Sequence, residues 1–226
     1  MKRLINFIEA KIAGSYLKKN YPQVTRDIIN IVAAARMGYT NLKIPLWKNA
    51  DLMRILERYE PKLLCEFGSG TTTASFNAWV SLKPDLRRGV TLESHPHWYQ
   101  VVSDNIAFSN SYSYVQSDID QKGGAASFHV KPTYFEPDFV YIDAPPIEGN
   151  VEYNSDFIWI IDNHPLPRIF VVDSRYKTVV EMHKIFKQRG HNYKLYVSRE
   201  FPVELLGAEA IYVVGKDIRH SIFELK

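Results

Sequence analysis

Five acidic residues fall at the ends of five apolar runs, and their spacing marks where this chain could do chemistry. "LLCEFGSGTTTASF" (63–76) sets Glu66 two residues before Gly68-Ser69-Gly70. "VTLESHP" ends a second run on Glu93, with Ser94 and His95 behind it, and "VQSDI" offers Asp118 beside Ile119. "FVYIDAPP" offers Asp143, and "FVVDSR" offers Asp173 and Arg175. Glycines after a strand allow a tight turn and close approach of backbone to a ligand. Any one of these acids is most simply a cap for the helix that follows. As a set they line one edge of a sheet, the edge where open α/β sheets bind ligands. An acid before the glycine turn suits a ligand with a positively charged amino group, and one at the end of a second strand suits ribose hydroxyls. The groups there that could take a proton are Asp143, Asp173 and His95.

The phosphate-binding alternatives fit less well. The dinucleotide fingerprint G-x-G-x-x-G needs a third glycine where Thr73 stands, and no G-x-x-x-x-G-K-[ST] run occurs. A pyrophosphate at a helix N-terminus gives no reason for an acid at Glu66.

The elements that must carry these residues change character near residue 60. Before it the pattern is helical, with Thr25 and Asn49 as expected caps of helices ending at Gly38 and before Pro61. Leu4, Ile5, Ile8, Ile12 and Tyr16 recur at helical spacing, which predicts a packed face rather than a signal peptide, since Glu9 and Lys11 interrupt it. After residue 60, strands are expected at 62–67, 88–93, 112–117, 138–143, 168–173, 192–198 and 209–215. Helices are expected at 72–82, 96–107, 152–162 and 175–188. Fully apolar strands alternating with helices predict a parallel sheet covered on both faces. The short link "EFPVELLGAE" predicts that the last strand runs antiparallel. The stretch 119–137, with Gly123 and Gly124, reads as a mobile loop.

Composition limits the choice of function. With 28 Lys and Arg against 25 Asp and Glu, the net charge is +3, and no basic tract marks a nucleic-acid surface. The single cysteine, Cys65, forbids an internal disulfide, reads as a buried structural thiol, and fits the cytoplasm. No apolar run is long enough for an integral membrane segment. The seven histidines show no metal-ligand spacing.

At this point the chain resembles the class I S-adenosylmethionine (SAM) dependent methyltransferases. "CEFGSGTTT" resembles their first motif, "VTLESHP" the second, "QSD" the third, and "DFVYIDAPP" with "FVVDSRYKTVVEM" the fourth and fifth strands of small-molecule and glycan-type members. The resemblance covers about residues 60–215. It implies an α/β fold: a Rossmann-like, doubly wound, mostly parallel seven-stranded sheet with an antiparallel last strand. Residues 1–60 would be a helical extension, used as a lid or a homodimer contact, and 61–226 the methyltransferase-like domain. By the same resemblance Glu66, Gly68, Ser69, Gly70 and Thr71 would surround the amino-acid end of SAM, and Glu93 with Ser94 its ribose. Asp118 and Ile119 would meet the adenine, and Asp143 the methionine portion or the acceptor. Some catechol-type members hold Mg²⁺ with acids at Asp143 and Asp173 plus an asparagine, but Ser174 stands where the amide belongs, so no metal is expected. The run Asp143-Ala144-Pro145-Pro146-Ile147 departs from the [DNS]-P-P-[YFW] of base and glutamine N-methylating enzymes. The reading is therefore O-methylation of a small-molecule or saccharide hydroxyl, with Tyr134 and Phe135 as aromatic cover or as core. A non-catalytic methyltransferase-like binding module and an NAD-dependent oxidoreductase are the alternatives.

Overall fold

A computed structural model describes residues 2–36, 46–144, 151–198, 203–205 and 220–226. Three helices come first: α1 (Lys2–Asn20), α2 (Pro22–Ala35) and α3 (Leu46–Tyr59). Then β1 (Leu63–Phe67), α4 (Thr71–Ser81), β2 (Arg88–Glu93), α5 (Pro96–Asn105) and β3 (Tyr112–Gln116) alternate. A small excursion, β4 (Ile119–Lys122) and β5 (Ala125–Phe128), precedes β6 (Phe139–Ile142). The chain closes with β7 (Tyr153–Asn154), α6 (Asp156–Asn163), β8 (Ile169–Asp173), α7 (Tyr176–Gln188), β9 (Tyr193–Ser198), β10 (Val203–Leu205) and β11 (His220–Leu225).

The main sheet has the order β10-β9-β11-β8-β6-β1-β2-β3. From β8 to β3 every pairing is parallel, while β11 lies antiparallel between β8 and β9. This is the doubly wound arrangement expected, with β10 added antiparallel at one edge. The strand expected at 209–215 lies outside the described residues; the antiparallel strand that is described runs from His220 to Leu225.

Period-two alternation decides which side chain faces which layer. Leu64, Phe139, Tyr141, Ile169 and Val171 pack with α1–α5, whereas Cys65, Phe67, Val140, Ile142, Phe170 and Val172 pack with α6 and α7. The N-terminal helices therefore share an apolar cluster with the sheet: Leu17, Val24, Ile28, Leu52 and Leu56 join Ala74, Phe76 and Val80 of α4. Cys65 is fully buried, and burial pushes its thiol up.

Three local expectations are corrected. Thr25 lies inside α2, which starts at Pro22, a residue suited to the first helical position because it has no N–H to leave unpaired. Asn49 lies inside α3, and its side chain reaches α4 instead of capping. The supposed loop 119–137 contains a hairpin, because Gly123 and Gly124 both take positive φ, +57° and +82°, which a two-residue turn matching strand twist requires. Of the α1 positions whose burial is described, Ala13, Gly14 and Leu17 are buried, while Ile12 is half exposed and Tyr16 half buried. The side chains of Leu4, Ile5 and Ile8, and residue Gly38, lie outside the described residues.

Candidate active site

Strand order reverses at β1, which has β2 and β3 on one side and β6 and β8 on the other. The crevice beyond the carboxyl ends of β1 and β6 is thus the place where two crossovers diverge. Gly68 leaves β1 there with φ +93°. A Cβ on it would lie 2.3 Å from the Ala144 Cβ, so the loop passes directly over the end of β6. A Cβ on Gly70 would meet no heavy atom within 4 Å, so this part of the turn faces open space.

Glu66 is not in that open space. Alternation turns it to the α4 side of β1, where it is 1% exposed. One carboxyl oxygen accepts from Thr72 Oγ1 at 2.5 Å; the other accepts from Thr73 Oγ1 at 2.9 Å and Thr91 Oγ1 at 2.6 Å. Burial raises its pKa to about 8, against the lowering effect of the three hydroxyls. Through these bonds Glu66 ties the start of α4 to β1 and β2. Thr73 Oγ1 also accepts from Gly70 N–H at 3.1 Å, so the same latch sets the glycine turn.

Glu93 closes β2 at the rim of the crevice. Its Oε2 accepts from both the N–H and the hydroxyl of Ser69, each at 2.7 Å, and its Oε1 from the His95 N–H at 2.7 Å. Ser69 Oγ also lies 2.8 Å from Tyr114 Oη, and Tyr99 stacks on the Tyr114 ring at 4.7 Å. Ser94 is half buried beside this cluster in sequence, and His95 is exposed as the residue before α5. Asp118 is exposed in the turn between β3 and β4, and Ile119 opens β4, half buried. Of the proposed aromatic cover, Phe135 is buried in the core and Tyr134 is 70% exposed.

Two strands along, the chain brings together residues far apart in sequence. Lys48, on α3, donates to Asp143 Oδ2 at 2.9 Å and to Asp173 Oδ2. Ser174 takes φ +52°, turning the chain sharply after β8. Arg175 then donates to the Asp143 carbonyl and places Nη2 3.5 Å from Asp143 Oδ1. Burial raises the Asp143 pKa, against the lowering effect of Lys48. For Lys48, burial favours the neutral amine, but the two carboxylates outweigh it and hold the ammonium above its ordinary range. Asn49, next to Lys48, donates to Thr71 Oγ1 at 3.2 Å and accepts from Ser75 Oγ at 2.7 Å, which docks α3 on the start of α4. On the far side, Asn154 donates to the Ala144 carbonyl and, at 2.9 Å, to the buried Asp156. Pro145, Pro146 and Ile147 lie outside the described residues.

The sequence reading did not single out Lys48, and took Asn49 only as a helix cap, because a lysine in such a segment carries no local mark of its partner. The Mg²⁺ arrangement of catechol-type enzymes does not fit here: the space between Asp143 and Asp173 holds the Lys48 ammonium. Among the described residues, no three His, Cys, Asp or Glu side chains are grouped to hold a metal ion.

No family model and no curated protein matches this chain. Solved structures do share its fold. The O-methyltransferase TomG of Streptomyces achromogenes, determined with SAM, is 14% identical, with a TM-score of 0.53 over 88% of each chain. An O-methyltransferase of Bacillus cereus, in complex with SAH, is 12% identical, with a TM-score of 0.51 over 93% of this chain and 95% of that one. The methyltransferase PaMTH1 of Podospora anserina, bound to SAH, is 13% identical, with a TM-score of 0.51 over 96% and 95%. The chain therefore has the α/β fold of these methyltransferases, an agreement of architecture at low sequence identity.

Proposed function

We propose that this protein is a SAM-dependent methyltransferase that acts on a hydroxyl group of a small molecule or saccharide. The observation that carries this reading is the crevice at the reversal of strand order. There Gly68 folds the loop over Ala144, Gly70 faces open space, and the paired Ser69 and Glu93 stand on one side with Asp143 on the other. SAM, when bound, supplies a methyl group on a positively charged sulfur. Glu93 would receive the ribose hydroxyls: Ser69 and His95 account for three of the roughly four acceptor positions of a carboxylate. Ser69 and Gly70 would pass their backbone beside the amino-acid end. Asp118 and Ile119, beyond β3, are the proposed adenine neighbours.

Transfer to a hydroxyl needs the acceptor oxygen held about 3–3.5 Å from the methyl carbon and a group to take its proton. Asp143 would take that proton. Its Oδ2 is bound to Lys48, its Oδ1 is the oxygen nearer the Arg175 guanidinium, and its side chain is 28% exposed. Burial, by raising its pKa, makes it a better proton acceptor than an open aspartate. Asp143 would take the proton that the acceptor hydroxyl loses as its oxygen is methylated. Asp173, bound to Lys48 and to Ser174 Oγ at 3.2 Å, orients this pair. His95, two strands from β6 in the sheet order, is assigned no proton transfer. The lack of a basic tract in the sequence favours a small acceptor over nucleic acid, and the single buried cysteine favours a cytoplasmic setting.

Calorimetric titration with SAM and with SAH tests the reading. Both are expected to bind, and Glu93→Ala to weaken them tenfold or more, since a hydrogen bond to a charged group contributes about 1.5–3 kcal/mol. A folded wild-type protein that binds neither overturns the enzyme assignment and leaves a partner-binding module.

A further inference from the structure

Lys48 is not an ordinary surface lysine. Its side chain is 15% exposed, and those of Asp143 and Asp173 are 28% and 10% exposed. The helix that carries it is fixed on both sides. Leu52, Met53, Ile55 and Leu56 are buried in the core, and Asn49 is hydrogen-bonded to Thr71 and Ser75 of α4. The ammonium therefore reaches the sheet edge from a rigid base. It binds one oxygen of each carboxylate, Asp143 Oδ2 at 2.9 Å and Asp173 Oδ2.

A hard dication between two carboxylates needs its oxygens at about 2.0–2.6 Å. That is the volume the Nζ atom fills. Charge leads to the same conclusion. Lys48 and Arg175 balance Asp143 and Asp173, so the four groups sum to zero. Adding a dication would leave an excess of two positive charges in a poorly hydrated spot, which is unfavourable at low effective dielectric.

We propose that Lys48 is the resident cation of this edge: its ammonium occupies the position between Asp143 and Asp173 that a divalent metal would need, and so holds the carboxylate pair metal-free. The N-terminal helices are then part of the site, because they deliver that charge. The metal-exclusion claim rests on the geometry of these residues. It rests on the methyltransferase reading only for its catalytic meaning.

The test is a Mn²⁺ titration of the full-length protein, followed by the electron paramagnetic resonance signal of the free ion. The wild type is expected to leave that signal undiminished through the millimolar range. Lys48→Met is expected to take up Mn²⁺ stoichiometrically, and Lys48→Met with Asp173→Asn to lose that uptake. Lys48→Arg, which keeps a cation in place, is expected to behave as wild type. Wild-type uptake of Mn²⁺ that Asp173→Asn abolishes would overturn the proposal. So would a folded Lys48→Met that takes up none, since the pair would then not be a cation position. Should Lys48→Met not fold, Lys48→Gln, which keeps a hydrogen-bonding side chain but no charge, takes its place with the same expected and overturning results. SAH calorimetry on the same samples reports the cofactor reading separately, so each can fail without the other.

Discussion

Replacing Glu66 with glutamine should make the protein more stable at alkaline pH and slightly less stable at acidic pH. Glu66 is enclosed by Thr72, Thr73 and Thr91, and its pKa rises from 4.5 to about 8, chiefly because burial disfavours the charged form. Between those two values the folded protein keeps the proton that the unfolded chain has released. Folding thus binds protons in that window, and stability falls as pH rises from about 4.5 to about 8, then stays level. At about 1.36 kcal/mol per unit, the full fall attributable to this group is about 5 kcal/mol. Glutamine carries no such dependence. It must exchange one accepted hydrogen bond for a donated one, at a cost of about 1 kcal/mol. The difference between variant and wild type should therefore cross zero near pH 5–6 and reach a few kcal/mol in favour of glutamine by about pH 8.5. Urea unfolding at a series of pH values measures it, with the m-value checked for constancy. A difference that does not change with pH, or that grows against glutamine as pH rises, would refute the reasoning. It would mean that the three hydroxyls hold Glu66 ionised.

Two further substitutions separate architecture from chemistry. Gly68→Ala puts a Cβ 2.3 Å from the Ala144 Cβ at φ +93°, and should cost about 1–3 kcal/mol for the backbone and about 1–3 kcal/mol for the overlap, read by thermal or urea unfolding. Asp143→Asn should keep SAH affinity within a few-fold while methyl transfer to a hydroxyl acceptor falls by roughly 10²–10⁴, as measured with labelled SAM.

Position along the strands was legible in the residues. Runs such as "FVYI" and "IFVV" are apolar at every step up to their closing aspartate, as a strand covered on both faces must be, so β6 and β8 fall where expected. The same logic put Glu66, Glu93, Asp143 and Asp173 at the ends or turns of parallel strands. The hairpin β4–β5 was missed because its strands are short and mixed, and its only mark was two adjacent glycines. The strand β11 was not foreseen at 220–225 because, once inserted between β8 and β9, its partners come from distant segments.

What each acid does was decided by tertiary structure. The spacing of Glu66 from the glycines says that it lies near the turn. Only the pleat of β1 and the docking of α4 show that it faces three threonines and not the crevice. Lys48 stands 95 residues from Asp143 and 125 from Asp173, and no local pattern links them. Their meeting depends on the apolar face of α3 finding α4 and the sheet. The amino-acid sequence alone determined an α/β chain with a mostly parallel sheet covered on both faces and acids at its strand ends, because strand and helix periodicity are local properties. The doubly wound order was what the resemblance implied. Which carboxylate is sealed, which is open, and which cation sits between them follow from contacts between segments distant in the chain, and those exist only once the core has formed.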